Sequence, residues 1–111
     1  MGENMSLDPV SRHRVGAETI TICISADISG GVEAELGNYR RWTLYLHADG
    51  AIDVNIYLSP DGSNWYQPDE SPVSFEGAGD KVIEMGYDAY KIKLVGSNTT
   101  LVTAQVRGVY G

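Results

Sequence analysis

The feature that most constrains this chain is a period of two in its apolar residues. Trp42, Leu44, Leu46 and Ala48 alternate with Arg41, Thr43, Tyr45 and His47, and Ile52, Val54, Ile56 and Leu58 alternate with Asp53, Asn55 and Tyr57. Ile20, Ile22 and Ile24 alternate in the same way with Thr19, Thr21 and Cys23. Shorter runs repeat the pattern at Val32/Ala34/Leu36, Tyr90/Ile92/Leu94 and Val102/Ala104/Val106, and Val73/Phe75 and 82–85 add two apolar segments. Successive side chains of a strand point to opposite faces, so each run specifies one buried face and one wet face. An amphipathic helix needs apolar residues three and four apart, and no stretch shows that spacing. The count is about eight short strands, at the spacing expected of an all-β domain.

Turn residues separate the runs: Ser29-Gly30-Gly31, Gly37-Asn38, Asp49-Gly50, Ser59-Pro60-Asp61-Gly62, Gly77-Ala78-Gly79, Gly86 and Gly96-Ser97-Asn98. Asp49-Gly50, between two clean alternating runs, predicts a β-hairpin. Ser59-Pro60-Asp61-Gly62 fits a type I turn, with Pro fixing φ at the second position. The fold expected is all-β: an antiparallel two-sheet β-sandwich, jelly-roll-like. The 111 residues, 42% hydrophobic and 21% charged, suffice for one domain with its own core.

Residues 1–14 stand apart. They carry no alternation, and Glu3 and Asp8 balance Arg12 and Arg14, so residues 15–111 carry the whole net charge of −7. The expected organisation is an extended N-terminal arm, 1–14, on an acidic sandwich, 15–111. Termini are often loose. The alternative is that the arm lies on a neighbouring subunit through Leu7, Pro9, Val10, Arg12 and Arg14, with the two arginines meeting an acidic patch such as Glu33/Glu35. The charge argues against nucleic acid, whose binding needs cations to neutralise phosphates, and against anionic membrane surfaces. No apolar run reaches the roughly 20 residues of a membrane helix. The first residues lack the basic and apolar regions of a secretory leader.

Little in the chain points to catalysis. Cys23, the one cysteine, forms no internal disulfide; it reads as a small residue on a sheet face or as half of an intermolecular disulfide. His13 falls on the arm and His47 on the wet face of a strand, neither within a catalytic motif. No phosphate loop, HExxH or EF-hand pattern occurs. No catalytic residue, cofactor or resident metal is therefore expected. Asp49, Asp53 and Asp61 are candidate oxygen ligands for calcium, set against a simple solvated rim. Trp65 and Tyr66, with Tyr39 and Tyr57, are candidates for an aromatic platform that stacks on sugar or on protein. The competing expectation is that Trp65 closes the core beneath its turn. The contact surface expected from these residues is Tyr57, Trp65 and Tyr66.

Ile56-Tyr-Leu-Ser-Pro-Asp-Gly-Ser-Asn-Trp-Tyr66 resembles the S-x-D-G-x-x-W-Y turn of small β-sandwich proteins common in tailed-phage structural modules. Gly86-Tyr-Asp-Ala-Tyr-Lys-Ile-Lys-Leu94 resembles the strand that follows it in those proteins, and 100–106 completes the pattern. The resemblance spans residues 17–107 and leaves the arm uncovered. Similar sandwiches occur in prokaryotic appendages. The resemblance implies a non-enzymatic structural protein that assembles with copies of itself, or with a capsid or fibre lattice protein, as a homo-oligomer. It implies a virion component such as a capsid decoration (cement) protein, with an extracellular filament subunit as the second form; the aromatic residues leave a carbohydrate-binding module as the rival from another class. No catalytic residues carry over. Strand addition by the arm would satisfy open edge hydrogen bonds, and repetition over many copies makes weak contacts collectively strong.

Overall fold

A computed structural model describes residues 16–110. It contains β1 (Gly16–Asp27), β2 (Val32–Glu35), β3 (Arg41–Ala48), β4 (Ile52–Ser59), β5 (Val73–Phe75), β6 (Gly79–Met85), β7 (Lys91–Gly96) and β8 (Leu101–Tyr110). All pairings are antiparallel, in two four-stranded sheets: β1-β8-β3-β6, called sheet A here, and β2-β7-β4-β5, sheet B. Every connection changes sheets except β4 to β5. That is the jelly-roll arrangement, two sheets linked by Greek-key crossings.

The core lies between the sheets. Leu44, Leu46, Val102 and Val106 from sheet A meet Val54, Ile56, Ile92 and Leu94 from sheet B, and all are buried. Burying each such side chain stabilises the fold by roughly 1.5–3 kcal/mol before the entropy of ordering it. Trp42 is also buried, and its indole N–H donates to the Tyr87 carbonyl at 2.8 Å, so it leaves no unmet donor.

The hairpin expected at Asp49-Gly50 is not there. β3 lies between β8 and β6, whereas β4 lies between β7 and β5, so the dipeptide turns the corner from one sheet to the other. Alternation says which face of a strand is buried, not which strand lies beside it. Two strands facing each other across a core carry the same pattern as two strands side by side. The corner is held from outside: Asp49 N–H donates to Leu101 O at 3.0 Å, and Asn98 Nδ2 and Thr100 Oγ1 donate to Ala51 O at 3.0 and 3.3 Å.

Alternation also breaks in β1. Its register with β8 shifts between Thr21 and Cys23 and again between Cys23 and Ala26, and Ser25 adopts φ 44°. Ile22 and Cys23 both pack against the core, while Ile24, expected inside, is 72% exposed. Such bulges insert residues into one strand only and turn the following side chains over. Tyr90 likewise departs from its run: it precedes β7 and is exposed, while Ile92 and Leu94 are buried.

The link from β2 to β3 is anchored by Tyr39. Its ring lies against Gly108, where a Cβ would come within 2.2 Å of a ring carbon. It packs tilted on Tyr110, with centroids 5.2 Å apart, and its hydroxyl donates to Glu18 Oε2 at 2.7 Å. Burial and the Glu18 carboxylate together push the Tyr39 hydroxyl well above the usual phenol range.

Candidate interaction surface

The aromatic surface is built by the long loop after β4. Ser59 ends that strand fully buried, and its Oγ accepts the Gly62 N–H at 2.7 Å and the Asp61 N–H at 3.3 Å. The turn is thus closed by a hydroxyl. Gly62 sits at φ +86° with the Tyr90 ring close by, a conformation a side chain would strain. The Asp61 carboxylate accepts the Ser63 and Asn64 N–H groups, both at 2.9 Å, and the Asn64 amide at 2.7 Å. Those donors hold its carboxyl well below the usual carboxylate range.

The loop then returns along the edge of sheet B. β5 pairs with β4 only over residues 52–54. Beyond that point Leu58 and Tyr66 exchange backbone hydrogen bonds of 2.8 and 2.9 Å, and Ile56 N–H donates to Ser71 Oγ at 2.8 Å. Gln67 reaches Ser71 Oγ at 3.0 Å and Asn55 Oδ1 at 3.3 Å. The returning segment covers donors and acceptors that a short β5 leaves open.

This path carries Trp65 onto the outer face of sheet B. The Lys93 ammonium lies 4.4 Å from the indole centroid and 5.6 Å from that of Tyr57, its partner across the β4–β7 ladder. Tyr57 and Trp65 therefore share one cation between two rings. Trp65 is half-buried and outside the core, so the expectation that it closes the core is wrong. Its turn is held by Ser59 and Asp61, which frees the indole to lie on the sheet surface. Lys93 also occupies one face of the ring that a sugar would stack on. Tyr66 is 62% exposed and is held to Leu58 through its backbone bridge. Tyr39 belongs to the Glu18–Tyr110 cluster and takes no part in this surface.

The three aspartates proposed for calcium do not form one site. Asp53 lies near the start of β4 and Asp61 beyond its end, and the seven residues from Asp53 to Ser59 alone span about 20 Å of strand. Asp49 turns instead to His47. His47 Nδ1 lies 2.6 Å from Asp80 Oδ1 and its Nε2 lies 3.2 Å from Asp49 Oδ1. Only an imidazolium donates from both nitrogens, and the Asp80 hydrogen bond in particular raises the His47 pKa. Cys23 packs half-buried with Sγ 3.4 Å from the Val102 carbonyl, and burial pushes its thiol up. Leu7, Pro9, Val10, Arg12, His13 and Arg14 lie outside the described residues.

Sequence reasoning missed a second feature, a groove of about 630 Å³ on the outer face of sheet A, lined by Arg41, Thr43, Tyr45, Glu84, Gly86 and Arg107 among others. The signal was present in the wet positions of β3, β6 and β8, but only the register between strands places them side by side.

No family model and no curated protein sequence matches the chain. Its fold does have counterparts among solved structures. The SPBc2 prophage-derived protein YomS matches with a TM-score of 0.61 at 12% identity, over 92% of this chain and 99% of that one. A subunit of Bacillus endospore appendages, described as a novel family of disulfide-linked pili, matches with a TM-score of 0.54 at 8% identity, over 98% of this chain and 100% of that one. A chitosan-binding module from a Paenibacillus sp. IK-5 chitosanase/glucanase matches with a TM-score of 0.49 at 14% identity, over 83% of this chain and 93% of that one. At these identities the likeness is one of fold.

Proposed function

We propose that this chain is a non-enzymatic structural subunit that assembles with copies of itself or with a larger lattice, as a phage virion component of the capsid-decoration kind, and that residues 1–14 engage neighbouring subunits. The observation that carries this reading is the position of β1. It is an edge strand of sheet A, and the arm is its direct N-terminal continuation. Under this reading the segment adds to the sheet edge of a neighbour, where main-chain hydrogen bonds supply affinity without a pocket. Sheet edges are the part of an open sandwich that invites such pairing. The prophage-derived protein that shares the fold over nearly its whole length supports a virion setting.

Comparing the full chain with one beginning at Val15, by sedimentation velocity and negative-stain electron microscopy, tests the reading. The full chain is expected to form regular particles or threads. The shortened chain is expected to melt at a similar temperature yet remain monomeric. Equal assembly by both would remove the arm from the account.

A second reading has its own support. The pilus subunit covers this chain almost end to end, and an open helical lattice differs from a closed shell only in whether the repeated rotation closes. Under it, the chain is an extracellular filament subunit and microscopy shows threads. A saturable change in Trp65 fluorescence on titration with oligosaccharides would instead favour a carbohydrate-binding module.

A further inference from the structure

The four sheet edges among the described residues are not alike. On sheet B, β5 is three residues long, and the returning segment covers β4 beyond it through Tyr66 and Ser71. The opposite edge of that sheet, β2, is four residues long. On sheet A, β1 is long but interrupted by its two register shifts and by the positive φ of Ser25. β6 differs from all three. Its seven residues pair with β3 without a shift, from Met85 opposite Trp42 to Gly79 opposite Ala48. They include no proline, and among the described residues no strand lies on their other side. A regular strand with an open row of main-chain donors and acceptors is a template for one more strand.

The side chains at this edge suit an added strand. Asp80, Val82 and Glu84 stand opposite His47, Tyr45 and Thr43 and so share the outer face of sheet A. Val82 is 63% exposed and Tyr45 beside it is exposed as well, which leaves an apolar pair in water. Lys81 turns the other way, its ammonium 5.9 Å from the Phe75 ring centroid. β6 is poorly suited to pair with β6 of a second copy. Centred on Val82, that ladder would set Asp80 opposite Glu84, two carboxylates on one face.

We propose that β6 of one copy receives the arm of the next as an antiparallel strand. The inference rests on the assembly reading of the arm and names the surface that takes it. Direction and reach argue for this occupant. β1 to β8, β8 to β3 and β3 to β6 are three antiparallel steps, so β6 runs opposite to β1. A copy displaced by translation alone then presents β6 antiparallel to a strand that continues β1 toward the N-terminus, and antiparallel pairing is the more stable kind. The fifteen residues before Gly16 reach about 50 Å when extended, against about 23 Å for the length of β6. That length bridges to a neighbour and still pairs along the edge. In any extended strand Val10, Arg12 and Arg14 share one side, an apolar residue and two cations for a face that carries Val82, Asp80 and Glu84. Asp80 already holds His47, and Glu84 shares its groove with Arg41 and Arg107. The main-chain ladder and the cover over Val82 and Tyr45 therefore supply the affinity. Each added copy keeps one arm and one β6 free, so growth continues as a row or closes as a ring.

Sedimentation velocity of the full-length chain and its variants provides the test. Val82→Lys sets a cation where the arginines of the arm arrive and is expected to weaken association about tenfold or more, while Ile24→Lys on the edge strand β1 leaves it unchanged. Both positions are exposed, and thermal melts establish that each variant is folded. Disulfide trapping gives a second readout. In a Cys23→Ser background, copies carrying Arg12→Cys are mixed with copies carrying Val82→Cys, or with copies carrying Ile24→Cys, and treated with diamide. The Val82 mixture is expected to yield about tenfold more mixed dimer, because a disulfide forms only where Cα atoms come within about 7 Å. A folded Val82→Lys variant that associates like the unaltered chain, an Ile24→Lys variant that loses association equally, or equal trapping at the two sites overturns β6 as the receiving edge. The arm reading then still stands if the chain beginning at Val15 fails to assemble. If that shortened chain assembles as the full one does, or the unaltered chain stays monomeric at every concentration, the arm reading falls and this inference with it.

Discussion

β3 and β1 belong to the same sheet, carry equally regular alternation in sequence, and end differently. In β3 every second residue is buried, with Trp42, Leu44, Leu46 and Ala48 at 3%, 0%, 2% and 0% exposure. In β1 the same pattern yields two half-buried neighbours, Ile22 and Cys23, and an Ile24 left in water. The difference lies in the partners. β3 is laced on both sides, by β8 and β6, so a slip of one residue would break two ladders and turn its whole apolar face outward. β1 has β8 alone and accommodates two bulges. Bulges on an edge also twist it away from flat, uncontrolled pairing.

Truncation is the strongest way to break this contrast. Leu44→Ala in β3 is expected to cost about 2–5 kcal/mol in urea unfolding, and Ile24→Ala in β1 less than about 0.5 kcal/mol. Comparable losses at the two sites would mean that β1 buries its Ile24 in the folded ensemble. Next in size is Gly108→Ala, on the strand between them. The new methyl has nowhere to go but into Tyr39, and a loss of about 1–3 kcal/mol is expected, read as a lowered melting temperature. Ser25→Gly should act in the opposite direction. Relieving the positive φ at the second bulge is expected to gain up to about 1 kcal/mol, less what glycine adds to the freedom of the unfolded chain. A net loss of about 0.5–1 kcal/mol, the cost of glycine alone, would mean that the bulge stores no strain.

The smallest effect belongs to the outer face of β3. Because the folded His47 pKa is raised above 6.5, its stabilising contacts are fully present below that pH and fade as pH rises through the folded value. NMR titration of the ring should place its midpoint above 6.5, and Asp80→Asn should lower it more than Asp49→Asn. A ring that titrates at 6.5 in the unaltered chain would remove the Asp80 contact from solution.

Strand existence and burial were largely legible, because a period of two follows directly from backbone geometry. Strand neighbours were not. The Asp49-Gly50 pair has the chemistry of a tight hairpin, yet the corner it makes is decided by Leu101, Asn98 and Thr100, far away in sequence. The aromatic surface was half legible. Tyr57 and Trp65 do come together, but through Lys93, whose wet-face position in β7 reads as ordinary until the β4–β7 register is known. The place of Trp65 also depends on a buried serine hydroxyl at the strand end, a detail no alternation pattern encodes.

The pairing of β1 with β8 has a consequence for how the molecule is made. The first strand finds its ladder in the last one, Ile20 opposite Val106 and Gly16 opposite Tyr110. β8 also stands between β1 and β3. Until β8 leaves the ribosome, β1 lacks this ladder and β3 lacks one of its two neighbours. Closing sheet A must then await synthesis of β8 and proceed through distant contacts, which are slow to form. A nascent or C-terminally clipped chain would expose the half of its core that faces sheet A, a hazard cells meet with chaperones or proteolysis.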